Sequence, residues 1–424
     1  MINKPGYKTT DIGEIPKDWD AVRLGDKRFF VILASGIDHF TGTKRYLSTK
    51  SIENDEIVNV ECEITFDKRP SRANMQPKLS SVWFAKMKNT VKVYCFTNSN
   101  MREETERFIL STGFAGVLCK DGIDPTYLKQ VFLSDYFNRE KNELASGSTQ
   151  QAVNNEGILS ILVPLPPLLE QQKIASIIST AHELTKETSE IIQKTQELKK
   201  SLTQQLLTKG VGHTKFKQTE IGEIPEEWTH MRIGEVSRVV RGSTPRPARD
   251  PRYFGGSFDW ITVSELTKDR GIFLRDTSMR ITEEGAKRSR RVEPGTLLLA
   301  NSGFSLGVPK ITQITGYIND GIAALLDLSQ CVVPSFLYYC LSRLTPYLRS
   351  VVARGVDQPN LNTTLISELE IPIPPVAEQK RIADVLYSID EKVERETEYR
   401  YKLEILRKGL MKDLLTGRVR VKVD

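Results

Sequence analysis

The sequence contains one long element twice. Residues 164–171 (PLPPLLEQ) return as residues 372–379 (PIPPVAEQ), and the Leu-Leu-Thr of residues 206–208 returns at the same offset as residues 414–416. Between these anchors the apolar positions coincide without an insertion, and they recur every three or four residues, as in a coiled-coil seam. Prolines precede each copy and a glycine follows it, as at the ends of helices. The sequence therefore predicts two long helices of equal length.

The apolar spacing also predicts what these helices pack against. A rod of about 60 Å, at ~1.5 Å per residue, cannot leave an apolar seam in water, and the second copy is a partner within the same chain. We expect the two copies to pair antiparallel about a pseudo-twofold axis. The alternative, two unrelated amphipathic helices on separate cores, does not explain the matching length and phase. The predicted seam of the first copy is Ile174, Ile177, Ala181, Leu184, Thr188, Ile191, Thr195, Leu198 and Leu202.

A second repeat divides the chain into two similar halves. Residues 11–19 (DIGEIPKDW) recur as residues 220–228 (EIGEIPEEW), so each half consists of a linker, a globular part, a proline-rich signal and a long helix. The predicted domains are residues 1–163, the first globular domain; 164–209, the first long helix; 210–371, the second globular domain; and 372–424, the second long helix with a C-terminal tail. We expect the leading segment to pack at the carboxyl end of the second helix, near residues 415–419.

Each globular part mixes short β-rich runs with helical ones. Residues 91–96, 258–263 and 296–300 have strand character, whereas residues 125–139 and 334–350 have helical character. The fold class we predict is α+β, with two mixed domains separated by an antiparallel two-helix coiled coil. Residues 113–118 (GFAGVL) align with 321–326 (GIAALL), but the first halves of the two parts do not align. A common scaffold with divergent outer segments suits two binders of different targets; the alternative is drift of a surface under no selection.

Composition limits the class of protein. The 424 residues are 39% hydrophobic and 27% charged, enough for two or three domains with cores. The net charge of +6 permits an acidic partner such as nucleic acid. An odd count of 5 cysteines without a Cys-x-x-Cys pair suits a reducing cytosol. Without a signal peptide or an apolar run of membrane length, we predict a cytoplasmic protein with no membrane partner.

Catalytic patterns are sparse. The chain has no phosphate-binding G-x-x-x-x-G-K-[ST], no G-x-G-x-x-G and no Asn/Asp-Pro-Pro-aromatic methyltransferase signature. Residues 390–392 (DEK) resemble the end of a nuclease D-x-K pattern, but they lie in the predicted coiled coil, where a solvated helix face is the better interpretation. The 4 histidines lack metal-ligand spacing. We therefore predict no catalytic residue and no metal site, and favour a binder or adaptor over an enzyme.

Basic residues cluster in both globular parts, on segments rich in glycine or proline. Arginine can grip phosphate or bind a guanine edge with two hydrogen bonds, and asparagine or glutamine can bind adenine similarly. A charge run alone is more often solvated surface, but the occurrence of clusters in both halves supports DNA binding. The candidate DNA-binding residues of the first part are Lys44, Arg45, Lys68, Arg69, Arg72 and Gln150. Those of the second part are Arg241, Ser243, Thr244, Arg246, Arg249, Arg252, Tyr253, Arg288, Arg290, Gln358 and Asn360.

These motifs resemble a known family. The paired Pro-[Leu/Ile]-Pro-Pro-x-x-Glu-Gln elements, each opening a long helix, and the paired Ile-Gly-Glu-Ile-Pro-x-x-Trp elements are similar to the conserved regions of the specificity subunit of type I restriction–modification systems. The resemblance covers essentially the whole chain, and the duplicated arrangement is more specific than either motif alone. It implies two target-recognition domains, each contacting one half of a bipartite sequence in double-stranded DNA, held apart by the coiled coil.

The resemblance also implies partners. Two modification subunits would methylate adenine with S-adenosylmethionine, and restriction subunits using ATP and Mg would translocate and cleave DNA, so that this chain is a non-catalytic scaffold without a cofactor of its own. The first part departs from the second, since residues 32–67 lack the Gly-Ser-Thr-Pro loop of residues 242–245. The alternative function is a coiled-coil tethering protein whose end domains bind other proteins. A self-sufficient nuclease or methyltransferase is disfavoured by the missing motifs.

Overall fold

The computed structural model describes residues 6–97, 102–147, 151–268, 271–352 and 361–422. Packing divides the chain into two compact units, Met1–Glu187 with Arg400–Asp424 (unit 1) and Thr188–Tyr399 (unit 2). Each unit contains one globular part and one portion of each long helix.

Unit 1 is built from two four-stranded sheets and a set of helices. Its strands are β1 (Tyr7–Thr10), β2 (Gly13–Pro16), β3 (Asp20–Arg23), β4 (Phe30–Leu33), β5 (Lys44–Leu47), β6 (Ile52–Glu53), β7 (Glu56–Ile57), β8 (Cys62–Ile64), β9 (Ala73–Met75), β10 (Ser81–Ala85), β11 (Val93–Phe96), β12 (Phe108–Ser111), β13 (Phe114–Cys119), β14 (Ala145–Ser146), β15 (Ala152–Val153) and β16 (Leu162–Leu165). Its helices are α1 (Arg102–Arg107), α2 (Pro125–Leu133), α3 (Asp135–Glu143), α4 (Asn155–Ser160) and the start of α5 (Leu168–Lys209). The sheet orders are β11-β10-β13-β4 and β8-β5-β12-β9.

Unit 2 has a five-stranded and a four-stranded sheet. Its strands are β17 (Phe216–Thr219), β18 (Gly222–Pro225), β19 (Thr229–Arg232), β20 (Arg238–Arg241), β21 (Phe254–Ile261), β22 (Phe273–Leu274), β23 (Arg280–Ile281), β24 (Arg290–Val292), β25 (Leu297–Ala300), β26 (Pro309–Thr312), β27 (Gly316–Ile318), β28 (Ile322–Leu326) and β29 (Glu370–Ile373). Its helices are α6 (Ile233–Val236), α7 (Val263–Leu266), α8 (Glu283–Lys287), α9 (Pro334–Val352), α10 (Thr363–Ser367) and most of α11 (Val376–Leu414). The sheet orders are β20-β28-β25-β26-β22 and β23-β21-β27-β24.

Local chemistry sets the element boundaries. The helical run predicted over residues 125–139 is divided into two helices, because Ser134 adopts extended dihedral angles and its side chain caps α3 by accepting from the Phe137 amide. In unit 1 the central strand β13 is almost wholly buried, and its Gly116 faces the ring of Trp83, which a Cβ there would approach to 2.6 Å. A glycine is therefore required for this strand to pack under the tryptophan.

Each globular part begins and ends on one antiparallel strand pair. In unit 1 Val22 of β3 lies opposite Val163 of β16, and in unit 2 Met231 of β19 lies opposite Ile371 of β29. The backbone continues each pair by one further hydrogen bond, from the Leu24 amide to the Ile161 carbonyl in unit 1. The entry and exit of each globular part are thus held side by side, directly before the long helix.

The two long helices run antiparallel within each unit. In unit 1 the Arg407 guanidinium of α11 contacts His182 of α5, with 2.6 Å between Nη1 and Nδ1, whereas the earlier Glu170 contacts the later Arg420. In unit 2 Lys199 of α5 forms an ion pair with Asp390 of α11. The apolar contacts agree, since Ile174 and Ile178 share a core with Leu414 and Leu415, and Leu207 shares another with Ile382 and Leu386.

The predicted seam is wrong at three positions. Leu184, Ile191 and Leu198 are 39%, 41% and 53% exposed. Ala181 and Thr188 are buried as predicted, but Ile178 and Ile192 are buried in place of the predicted Ile177 and Ile191, so the seam lies one residue later at these positions. The buried positions of α5 are Glu170, Gln171, Ile174, Ala175, Ile178, Ala181, Thr188, Ile192 and Leu207.

The leading segment packs as expected from the repeat. The Tyr7 hydroxyl donates to the Gly417 carbonyl at 2.8 Å, and the Arg420 guanidinium forms two hydrogen bonds with the Asp18 carboxylate. The segment therefore lies against the chain that follows α11. The α+β fold class, the internal repeat and the antiparallel long helices are confirmed. Within the described ranges, no helix is long and apolar enough to cross a membrane.

Candidate nucleic-acid interface

The paired sequence motifs meet in a clasp that fixes each globular part to its long helix. In unit 1 the indole of Trp19 donates to the buried carboxylate of Glu170 at 2.9 Å, and Arg420 donates to the same group. In unit 2 Trp228 donates to Glu378 at 2.9 Å, and His213 contacts both carboxylate oxygens. Each clasp joins a tryptophan motif to the glutamate of a proline motif, which explains why the motifs occur together.

The glutamine that follows each clasp glutamate anchors the turn before the helix. The amide of Gln171 donates to the carbonyls of Pro166 and Gly122, while its oxygen accepts from the Asp124 amide. Gln379 makes the equivalent bonds in unit 2, with the Pro374 and Cys331 carbonyls and the Val333 amide. The clasp elements are structural, so the binding surface must lie elsewhere on each globular part.

One end of the five-stranded sheet of unit 2 gathers most of its candidate residues. Strand β20 follows α6, begins at Arg238 and ends at Arg241, opposite Ala323 of β28. The loop that follows, residues 241–253, is called the arginine loop below. Gly242 passes so close to the β27–β28 turn that a Cβ would lie 2.1 Å from the Asn319 carbonyl. Glycine is therefore needed for this loop to leave the sheet in this direction.

Asp320 organises the start of the arginine loop. Its carbonyl accepts from the Arg241 guanidinium at 2.6 Å, its carboxylate accepts from the Thr244 hydroxyl, and Arg246 lies 3.4 Å from the same carboxylate. The Arg246 side chain is nevertheless 72% exposed. The loop is thus held in one conformation while its guanidinium groups face solvent.

The second basic run of unit 2 joins the same surface. The Ser289 hydroxyl donates to the Ser243 carbonyl at 2.7 Å and so ties residues 287–291 to the arginine loop. The guanidinium groups of Arg252 and Arg288 lie 5.4 Å and 4.8 Å from the ring centre of Tyr253. Tyr253 is only 5% exposed, so it supports the two arginines from below rather than presenting its own ring. Arg249 and Arg290 are exposed beside them.

In unit 1 the candidates form a smaller cluster. The Lys44 ammonium lies 5.0 Å from the Phe40 ring centre, and the Arg69 guanidinium lies 4.4 Å from that of Phe66. Phe40 and Phe66 pack edge to face at 5.8 Å, and His39 stacks at 4.6 Å on Phe66. We call this group the basic–aromatic patch. It brings together Lys44 and Arg69, which are separated in sequence.

The other candidates of unit 1 lie around this patch. Arg45 follows Lys44 on β5, where its backbone pairs with Glu63, and it is half-buried. Lys68 and Arg72 are exposed in the chain between β8 and β9. Gln150, Gln358 and Asn360 lie outside the described residues. Among those described, no group of three or more His, Cys, Asp or Glu side chains is arranged to hold a metal ion.

Three residues at the same end of unit 2 escaped sequence analysis. Asp320 was not singled out, although it stands immediately before the aligned Gly321 segment. Asn301 and Asn319 are two further polar residues there, and among the described residues neither side-chain oxygen has a hydrogen-bond partner. Asn301 could have been identified from sequence, because residues 297–301 (LLLAN) place it directly after an apolar run typical of a buried strand. Asn319 had no such sign, because its position depends on the turn between β27 and β28.

Comparisons with known proteins agree with the repeat. The family model described as type I restriction modification DNA specificity domain matches residues 16–200 and again residues 225–404. The putative type I restriction enzyme MjaX specificity subunit of Methanocaldococcus jannaschii is 25% identical over 443 residues, covering 100% of this chain and 98% of the relative. The MjaVIII specificity subunit of the same organism is 27% identical, covering 96% and 94%. A solved S subunit of a type I restriction–modification system from M. genitalium has a TM-score of 0.60 at 16% identity, covering 97% and 99%, and shares the fold.

Proposed function

Because this chain belongs to the type I restriction–modification DNA-specificity family, whose model matches both of its halves, we propose that it recognises a bipartite DNA sequence, one half with each globular part. The observation that carries the proposal is the arginine loop of unit 2. Its anchored backbone and exposed guanidinium groups give the rigid, cationic surface that a DNA groove requires.

The binding roles of individual residues follow from how each is held. Arg246 and Arg249 project from the arginine loop and are proposed to contact base edges or phosphates, together with Ser243 and Thr244. Arg252 and Arg288 are supported by the buried Tyr253 ring and are proposed to grip the DNA backbone, as is Arg290. In unit 1 the proposed contacts are those of the basic–aromatic patch, with Arg45, Lys68 and Arg72 beside it. Gln150, Gln358 and Asn360 are retained as candidates.

The long helices are proposed to bind the modification subunits. The three misassigned seam residues, Leu184, Ile191 and Leu198, recur every seven residues on α5 and are exposed. The last two correspond in the repeat to Tyr399 and Leu406 of α11, which are 48% and 52% exposed. An exposed apolar stripe of heptad spacing suits a helical partner. Its occurrence on both helices supports two equivalent modification subunits, which in turn would recruit restriction subunits.

Catalysis is assigned to those partners. The matched relatives are named specificity subunits, and methylation with S-adenosylmethionine and cleavage with ATP and Mg are proposed to occur on the modification and restriction subunits. The five cysteines are all free thiols, which supports a role in a reducing cytoplasm.

Selection of bound sites from random-sequence DNA tests the proposed function. The full chain, assembled with its modification subunits, should enrich two short conserved sequences separated by a spacer of fixed length and free composition. Affinity for the selected site should fall steeply with salt, because phosphate contacts release counterions. Enrichment of one continuous sequence would contradict bipartite recognition, and enrichment of none would contradict DNA specificity altogether.

A further inference from the structure

The hairpin between β25 and β26 presents an aromatic side chain to solvent. Phe304 is 97% exposed, on a single 3-10 turn formed by Gly303–Ser305. A single exposed apolar side chain is ordinary on a protein surface, so its surroundings decide whether it has a function.

The backbone that carries Phe304 is tightly held. The Gly307 amide donates to the Ala300 carbonyl at 2.7 Å, and the Val308 amide donates to the Ser305 carbonyl at 3.1 Å, which closes the turn on both sides of the phenylalanine. Leu306 is 1% exposed and anchors the turn in the core of unit 2. Helix α9 adds a further bond, from the Thr345 hydroxyl to the Gly307 carbonyl at 2.6 Å. The ring is therefore projected by a rigid support.

Phe304 stands at the same sheet end as the arginine loop. In the order β20-β28-β25, the carboxyl end of β25 at Ala300 lies opposite Ile322, and Ala323 lies opposite Arg241. The Asn301 backbone amide donates to the Gly321 carbonyl at 2.9 Å and so joins the hairpin to the β27–β28 turn, whose Asp320 also anchors the arginine loop. Neighbouring strands are about 4.8 Å apart, so the hairpin and the arginine loop emerge roughly 10 Å from each other.

The charge beside Phe304 favours nucleic acid over an apolar protein surface. The Arg349 guanidinium lies 5.9 Å from the phenylalanine ring centre, and its Nε donates to the Leu306 carbonyl at 3.0 Å. An arginine fixed next to an exposed ring can neutralise a phosphate at the position where the ring enters a groove. The equivalent hairpin of unit 1, residues 86–91 (KMKNTV), has no aromatic residue.

We propose that Phe304 inserts as a wedge between two adjacent base pairs of the half-site that unit 2 recognises. A phenyl ring has no polar atom with which to bind a base edge, so it acts by unstacking a base step and kinking the duplex. Such a wedge prefers pyrimidine–purine steps, which unstack most readily, and so contributes specificity without a base-edge hydrogen bond. The unit 1 half-site remains undistorted by this mechanism. The inference depends on the proposed DNA recognition.

The test uses 2-aminopurine, which fluoresces more strongly when it is unstacked. The probe is placed in turn at each position of both selected half-sites, and the full chain is bound together with its modification subunits. We expect a several-fold rise at one base step of the unit 2 half-site, abolished by Phe304→Ala and retained by Phe304→Trp. The dissociation constant of Phe304→Ala should rise roughly tenfold, as for loss of one aromatic–base stack.

The matched control is Val91→Ala, which alters the equivalent hairpin of unit 1, where Val91 is 41% exposed. It should leave every fluorescence signal unchanged. Outside the adenine that the modification subunit would extrude for methylation, a signal that persists unchanged in Phe304→Ala comes from another residue and overturns the wedge, as does a complex that footprints both half-sites without any Phe304-dependent signal. Loss of modification-subunit binding by Phe304→Ala, with DNA binding intact, would show that the ring contacts protein. Absence of any footprint from the unaltered complex would instead contradict the proposed function itself.

Discussion

The arginines of unit 2 differ in how much of their bonding capacity is already used. The Arg241 Nε is directed at the Asp320 carbonyl, and Arg246 shares the carboxylate of Asp320 with Thr244. Arg249 is exposed and forms no ion pair or side-chain hydrogen bond with the described residues. A guanidinium without an intramolecular partner has no hydrogen bond or ion pair to give up when it binds DNA. Among these three, Arg249 is therefore expected to contribute most to affinity.

Substitution of Arg249 tests whether this side chain contributes to the affinity for DNA. Arg249→Ala should cost about 1–3 kcal/mol and relax specificity at one base position if it binds a base edge, or weaken all sequences alike if it binds phosphate. The matched control is Arg238→Ala, at the opposite end of β20, where Arg238 pairs with Asp327 at 2.8 Å. Affinity measured at several salt concentrations distinguishes a base contact from a phosphate contact, because loss of a phosphate contact reduces the salt dependence. If both variants bind as the unaltered chain does, the arginine loop does not contact DNA.

A buried lysine in unit 1 makes stability depend on pH. Lys141 is 1% exposed, its ammonium donates to the Ala85 carbonyl at 3.3 Å and to that of Thr90, and burial lowers its pKa to about 8. The unfolded chain, with a lysine pKa near 10.4, binds more protons than the folded chain between roughly pH 8 and pH 10. Stability should therefore rise with pH across that window.

Chemical denaturation of the full chain at pH 7.5 and at pH 9.5 measures this effect. Lys141→Met should remove the Lys141 contribution to the rise, because it replaces the titrating group by an apolar one of similar length. Lys88→Met, at an exposed position in the neighbouring loop, should keep the pH dependence of the unaltered chain. Equal pH dependence in the Lys141 and Lys88 variants would show that Lys141 is not the group responsible.

At the scale of elements, each long helix has two apolar faces. One packs within the units, through residues such as Ile178 and Ile192, and the other is the exposed stripe that includes Ile191 and Leu198. Sequence periodicity detected both but assigned the exposed stripe to the seam. A spacing of seven cannot distinguish the two faces of one helix, because that choice depends on what the globular core adds to the buried side.

Charge placed on the exposed stripe should separate assembly from folding. Ile191→Glu with Leu198→Glu should abolish binding of the modification subunit, since a carboxylate would be buried in an apolar contact. The unfolding midpoint of the isolated chain should change little, because both positions are exposed. Lys194→Glu with Lys200→Glu, on exposed polar positions of the same helix, provides the control. Co-purification with the modification subunit is the measurement, and unchanged recovery of the apolar-to-charged variant would exclude this stripe.

The candidate site could be predicted in composition but not in arrangement. Arginines 241, 246 and 249 were apparent because the loop is rich in glycine and proline. Asp320, which anchors Arg241, Thr244 and Arg246, lies far along the chain and reaches the loop only through the pairing of β20 with β28. Tyr253 follows Arg252 in sequence, yet it is only 5% exposed and its ring lies beneath the guanidinium groups of Arg252 and Arg288. Phe304 lies in a short turn, and its exposure could not be predicted from sequence because it depends on how β25 and β26 pack in the sheet.

At the scale of the whole molecule, each globular part is an insert in a repeated frame, and we expect the two inserts to be exchangeable. Each insert is bounded by one antiparallel strand pair, β3 with β16 or β19 with β29, and by the backbone bond that continues it. The tryptophan–glutamate clasp lies outside these boundaries, between the linker and the long helix. The frame can therefore fold around an insert without contributing to what that insert recognises.

Exchange of one insert should consequently change one half of the recognised sequence. Replacing residues 24–161 by the equivalent segment of a relative keeps β3, β16 and the Trp19–Glu170 clasp, so the junctions join backbone that is already paired. The mirror exchange, residues 233–369, keeps β19, β29 and the Trp228–Glu378 clasp and provides the matched control. Site selection should show that each exchange alters a different half-site and leaves the other half-site and the spacer as they were. A single exchange that altered both half-sites in a folded complex would show that the two inserts do not recognise DNA independently.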